Sequence, residues 1–151
     1  MKINALPANA VQLLRRPEIA GVYQATDDTA RTLFQAGPAA GFNVYRIDLG
    51  KARNADSLHR ILARGLHFPD WYGGNWDALA DCLTDMSWNE ADGYLLILVH
   101  AETLQAADPA CFSSLLEVLN ETVTAWQTQK ISFCCLLTGT HTELPVLGVS
   151  T

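Results

Sequence analysis

Six consecutive apolar residues, Tyr94-Leu-Leu-Ile-Leu-Val99, constrain this chain more than any other feature. A strand with one wet face alternates apolar and polar residues. An unbroken apolar run of this length reads instead as a central strand covered on both faces. It is far too short to span a bilayer. A second run, Ile131-Ser-Phe-Cys-Cys-Leu-Leu137, reads the same way. Between them Asp108-Pro109 supplies a helix N-cap followed by proline at the first helical position. Phe112, Leu115, Leu116, Leu119, Val123 and Trp126 then recur at helical spacing. A long helical crossover between two buried strands favours a parallel pair.

The preceding segment repeats the pattern. Asn43 to Leu49 alternates as a strand. Asp56 precedes, and is expected to cap, an amphipathic helix whose Leu58, Ile61 and Leu62 share a face. Pro69 and Gly73-Gly74 mark a loop carrying Trp71 and Tyr72, and Asn75 is placed to cap a second helix over about 76–86. The order is strand, helix, helix, strand, helix, strand. It predicts an α/β fold with a small three-stranded parallel β-sheet packed by helices.

Three regions are expected. Residues 1–42 form an N-terminal extension, either an added lobe or an extra edge strand. Ile19 to Tyr23 reads as a short strand and Asp28 to Gln35 as a short helix capped by an Asp. Residues 43–138 form the main domain, and 139–151 a loose C-terminal tail. The 151 residues are enough to bury a real core. No apolar secretory segment is read at the N-terminus. Cys82, Cys111, Cys134 and Cys135 have no CxxC spacing and read as reduced, buried thiols of a cytoplasmic protein.

The net charge of −6 is unevenly spread. Residues 65–129 hold ten acids and no Lys or Arg, a net of −10, while the remainder carries +4. Such an acidic part attracts cationic surfaces and repels nucleic acid. Within it Asp77, Asp81 and Asp85 recur at four-residue spacing. On a helical wheel they span about 80°, opposite the apolar arc of Trp76, Leu79, Cys82, Leu83 and Met86. Asp77 lies in the first turn, where the helix dipole favours a carboxylate; Asp85 lies near the end, where the dipole opposes it. Like charges four apart repel by a few tenths of a kcal/mol per pair. No Lys or Arg stands three or four residues from any of them. A ridge that costs stability and has no local partner points to a cationic partner in trans, provided that Arg60, Arg64 or another guanidinium does not neutralise it internally. Trp71, on the loop before the ridge, adds aromatic surface of the kind found at protein–protein hot spots. Tyr72 is expected to plug the core beneath.

The stretch Pro69-Asp-Trp-Tyr-Gly-Gly-Asn-Trp-Asp-Ala-Leu-Ala-Asp-Cys-Leu-Thr84 resembles the barstar family of intracellular ribonuclease inhibitors. The family pattern there is roughly aromatic-Tyr-Gly-x-Asn-x-Asp-Ala-Leu-x-Asp-Cys-Leu. The upstream Asp56-Ser-Leu-His59 fits as well. The resemblance implies a three-stranded parallel sheet and an inhibitor, an immunity protein of toxin–antitoxin type, that presents acids where a basic ribonuclease expects RNA phosphates. By the resemblance the partner-binding positions are Trp71, Gly73, Asn75, Asp77, Ala80, Asp81, Thr84, Asp85, Trp88 and Glu121. Asp81 is the central acid, Asp77 a second, and Trp71 stands for a stacking loop Tyr. Thr84 is a rim contact and Glu121 a further acid on the long helix. Ala80 replaces a family Trp, and Trp88 is placed to supply the missing aromatic.

The other reading is an acidic protein-binding module with a non-nuclease partner. Enzyme activity is not expected. The acids share a convex face, and His59, His67, His100 and His141 show no metal-ligand spacing. His100 and Glu102 follow the central strand, where α/β sites form, and read as polar strand-end residues. No cofactor, metal, membrane or direct nucleic-acid partner is expected, and the free protein is expected to be a monomer.

Overall fold

The computed structural model describes residues 3–6, 14–140 and 144–149. Among these, strands β1 (Ile3–Leu6), β2 (Val22–Ala25), β3 (Phe42–Asp48), β4 (Gly93–Val99), β5 (Ser132–Leu137) and β6 (Val146–Val149) form one sheet. The helices are α1 (Asp27–Ala36), α2 (Ala55–Gly65), α3 (Trp76–Asp85), α4 (Glu102–Ala107) and α5 (Pro109–Thr128). The strand order is β1-β6-β2-β5-β4-β3, and every pairing is parallel.

The expected α/β class and parallel sheet are present, but the sheet has six strands rather than three. The expected trio, β3, β4 and β5, forms one half. β5 is buried along its whole length, so an open far edge would have left buried backbone groups unpaired. β2 closes it, with Val22 opposite Cys135 and Gln24 opposite Leu137. The segment read as a loose tail supplies β6, which lies between β1 and β2.

All seven residues of β4 are buried, and their alternation shows why. Tyr94, Leu96 and Leu98 enter a core shared with Leu58 and Leu62 of α2, Leu79 and Leu83 of α3, and Phe112, Leu115 and Leu119 of α5. Leu95, Ile97 and Val99 enter a second core with Ala30 and Leu33 of α1, together with Leu14, Ala40 and Phe42. The extension therefore supplies the second cover that the apolar run demands. Its described strands β1 and β2 lie in the same sheet as the other four.

Asn75 and Asp108 cap α3 and α5 as expected, accepting from the backbone N–H of Ala78 and Cys111. Two caps differ. Thr26, not an Asp, caps α1 by accepting from Thr29 N–H, and Asp27 and Asp28 occupy the first turn. Asn54, not Asp56, caps α2; its side chain accepts from Ser57 N–H while Ser57 Oγ accepts from Asn54 N–H. This reciprocal box satisfies two otherwise orphaned donors, which a single Asp56 carboxylate one residue inside the helix does not. The four cysteines are free and buried. Burial pushes the Cys134 thiol up to about 12 and is the largest cause raising Cys82 to about 11, where Asp81 and Asp85 add to it.

Candidate protein-binding face

The ridge helix is held from three sides. At its start Asn75 Oδ1 accepts from Ala78 N–H at 2.8 Å. Gly74 enters this cap at φ +69°, in the left-handed region, where a Cβ is strained. Gly73 leaves room for the cap; a Cβ there would lie 3.3 Å from Asn75 Nδ2. Along its length Leu79, Cys82 and Leu83 are buried. At its end Met86, fully buried, turns the chain at φ +49° and donates its N–H to Cys82 O. Trp126 of α5 donates its indole N–H to Leu83 O at 2.8 Å, pinning the last turn of α3 to α5.

What this leaves outside is the acidic ridge. Asp77, Asp81 and Asp85 are all exposed. Among the described residues the ion pairs within 4.0 Å are Arg16–Glu18, Arg31–Asp28 and His100–Glu102. None involves the ridge, and neither Arg60 nor Arg64 reaches it. Asp85 accepts from Ser87 Oγ at 3.1 Å. Thr84 is half-buried and turns its hydroxyl back to Ala80 O at 2.7 Å. Ala80 is half-buried beside the core.

The loop between α2 and α3 rests on an aromatic lock. His59, 4% exposed, bonds through Nδ1 to the Tyr72 hydroxyl. Its ring meets Trp76 edge-on at 4.9 Å, and Phe68 packs on Tyr72 at 4.8 Å. Burial is the largest influence on His59 and lowers its pKa, with Asp56 opposing; burial likewise raises Tyr72 far above its usual value. Tyr72 is thus the plug, and its neighbour Trp71 is left 60% exposed. His59, one of the histidines without metal-ligand spacing in the sequence, organises this loop. Its signal was the adjacent Leu58, which places position 59 at the border of the buried arc.

The remaining positions divide. Trp88 is half-buried, edge-on to Phe68 at 6.0 Å, with its indole N–H directed to Leu66 O at 3.4 Å. It is thereby tied to the lock. Glu121 is exposed on α5. His141 lies outside the described residues. His100 follows β4 at φ +58° with Nδ1 3.6 Å from Glu102 Oε1. Among the described residues no helix is long and apolar enough to cross a membrane. No three His, Cys, Asp or Glu side chains among them converge as metal ligands.

Residues 42–138 match the family model described as Barstar (barnase inhibitor). The chain belongs to the barstar family. The family is described as an inhibitor, and the matched span runs from the first residue of β3 to just past the end of β5. No curated protein matches the chain. Among solved structures the fold is similar to the Aeropyrum pernix ORC2 protein in its ADPNP–ADP complexes, at 12% identity and a TM-score of 0.60. That match covers 87% of this chain and 39% of the other, so this chain spans about two fifths of it. A structure of Drosophila ORC bound to DNA matches at 16% identity and a TM-score of 0.48, over 82% of this chain and 32% of that one. At such identities the likeness is one of fold alone.

Proposed function

We propose that this chain inhibits a basic ribonuclease by seating α3 and the Trp71 loop in the enzyme's active-site cleft. The observation that carries the reading is the exposed ridge of Asp77, Asp81 and Asp85, none of them in an ion pair among the described residues, on a helix fixed at both ends. Active-site Lys, Arg or protonated His side chains that bind phosphate would meet carboxylates instead. Because the ridge is already ordered, little conformational freedom is lost on binding. Its field would also speed encounter with a cationic partner. Barstar with its ribonuclease is itself a standard case of such steering, and the magnitudes measured there belong to that pair.

In this reading Asp81 is the central acid and Asp77 the second, with Asp85 extending the ridge. Trp71 stacks on the enzyme, and Gly73 and Asn75 shape the loop. Thr84, Ala80, Trp88 and Glu121 form the rim. Residues 42–138 are the inhibitory unit, and the preceding segment completes its sheet and second core.

Ala80 favours a second reading, an acidic module with a non-nuclease partner. The family places a large aromatic there, and this chain has a methyl group.

The test is inhibition of RNA cleavage by barnase and by other basic ribonucleases, with purified full-length chain. Asp81→Ala should weaken inhibition far more than Glu90→Ala, an exposed acid off the ridge. Inhibition equally sensitive to both would remove the ridge from the mechanism. Absence of inhibition, with a co-purified protein of another class, would favour the second reading.

A further inference from the structure

The cations that the ridge lacks gather where α2 meets β3. A groove of about 480 Å³ is lined there by Arg46, Arg60 and Arg64, with Ile61 as an apolar wall. Arg46 also lines the groove on the α1 face of the same strand. All three arginines are exposed. Gly65 brings the two elements together, because a Cβ there would lie 2.7 Å from Ile47 Cδ1. A larger residue would lift the last turn of α2, which carries Arg64, away from β3.

Arg60 and Arg64 stand one helical turn apart, where like charges repel. Among the described residues no carboxylate lies within 4.0 Å of any of the three guanidinium groups. Arg60 Nε reaches the Asp56 carbonyl of its own helix at 3.5 Å. One carboxylate, Asp48, lines the groove, and it accepts from Gly50 N–H at 2.8 Å.

We propose that this groove binds the phosphate group of a small ligand, either inorganic phosphate or a mononucleotide. Each guanidinium presents a planar fork of N–H donors. Three forks aim about six donors at one ligand, whereas a carboxylate offers only about four lone-pair sites. A phosphate dianion brings at least three strong acceptor oxygens and close to two negative charges, and arginine forks grip it bidentately. The groove falls within the size range of small-molecule sites, about 300–1,000 Å³. A long RNA strand fits it less well. The chain's net charge of −6 repels an extended polyanion, and among the described residues no aromatic ring lines the groove for a base to stack on. The site is distinct from the acidic ridge and independent of ribonuclease inhibition.

The probes are sodium phosphate, AMP, adenosine and malonate, a dianion of two carboxylates. Each is titrated into nitrogen-15-labelled full chain at constant ionic strength and at about pH 7.5, above the second pKa of a phosphate monoester, about 6. Phosphate and AMP should bind saturably, with amide shifts at residues 46–48 and 57–65. Equal affinities make phosphate alone the ligand, and tighter AMP makes it a nucleotide. Malonate should bind at least about tenfold more weakly than phosphate, and adenosine not at all. Arg60→Ala combined with Arg64→Ala, both exposed helix positions, should cost at least about tenfold, with the amide spectrum elsewhere unchanged. Arg53→Ala, an exposed arginine outside the groove, should cost nothing. Asp48→Asn keeps an oxygen for Gly50 N–H and removes the one opposing charge, so it should tighten binding by at least about twofold. Malonate equal to phosphate, adenosine equal to AMP, or tighter binding of a single-stranded RNA or a phosphoserine peptide than of AMP would each overturn the proposal. So would weaker binding by Asp48→Asn, an unaffected Arg60→Ala, Arg64→Ala variant, or no saturation.

Discussion

Asp81→Asn should make the free protein more stable while making it a poorer inhibitor. Asp81 stands four residues from both Asp77 and Asp85, so its removal eliminates two like-charge pairs on one exposed helix face. Each such pair costs about 0.2–0.5 kcal/mol, giving a gain of about 0.4–1 kcal/mol at low ionic strength. Asn and Asp have similar helix propensities, and mid-helix the dipole contributes little, so no opposing effect of that size enters. Urea unfolding of the two proteins at about 10 mM and 0.5 M salt reads the difference. Screening shortens from about 30 Å to a few ångströms over that range, so the gain should largely disappear in high salt. Destabilisation of more than about 0.5 kcal/mol would mean that Asp81 has a favourable partner within the fold, and the ridge would then be structural. A gain that persists in salt would mean that repulsion is not its source.

Two further outcomes follow from the groups around the ridge. Trp126→Phe removes the donor to the Leu83 carbonyl, one of the last four of α3, in a buried site. The orphaned acceptor costs about 1–3 kcal/mol and the smaller ring about 1 kcal/mol more, visible as a lower urea midpoint; a loss under about 0.5 kcal/mol would refute the pin. His59, whose folded pKa burial lowers below its ordinary 6.5, binds fewer protons folded than unfolded. Stability should therefore fall as pH drops below about 6.5 towards the lowered folded value, and His59→Gln should flatten that slope; an unchanged slope would place the titration elsewhere.

How much of this was legible depended on whether the signal was local. Asn75, Asp108-Pro109 and the helical stripe through Trp126 carry their own geometry, and α3 and α5 begin where those residues place them. The Tyr94–Val99 run announced two covers without saying what supplied the second. That cover is α1 with Leu14 and Phe42, brought there by sheet order rather than by any nearby residue. β6 is four residues including a glycine, and it exists because β1 and β2 flank it, a pairing across most of the chain. The missed Asn54 cap shows the same limit at short range. Asp56 and Asn54 are both good capping types, and the Ser57 hydroxyl that closes the box decides between them. On the candidate face the ridge followed from helical periodicity. The lock did not, because His59 and Tyr72 stand thirteen residues apart and meet only through the loop.

The central claim is that an ordered row of carboxylates takes the place of RNA phosphates, and its most direct test is the association rate with an inhibited basic ribonuclease as a function of salt. The wild-type rate should fall steeply between about 10 mM and 0.5 M salt, while the Asp77→Asn, Asp81→Asn, Asp85→Asn variant should associate slowly and almost independently of salt. Superimposable salt curves for the two proteins would contradict the account.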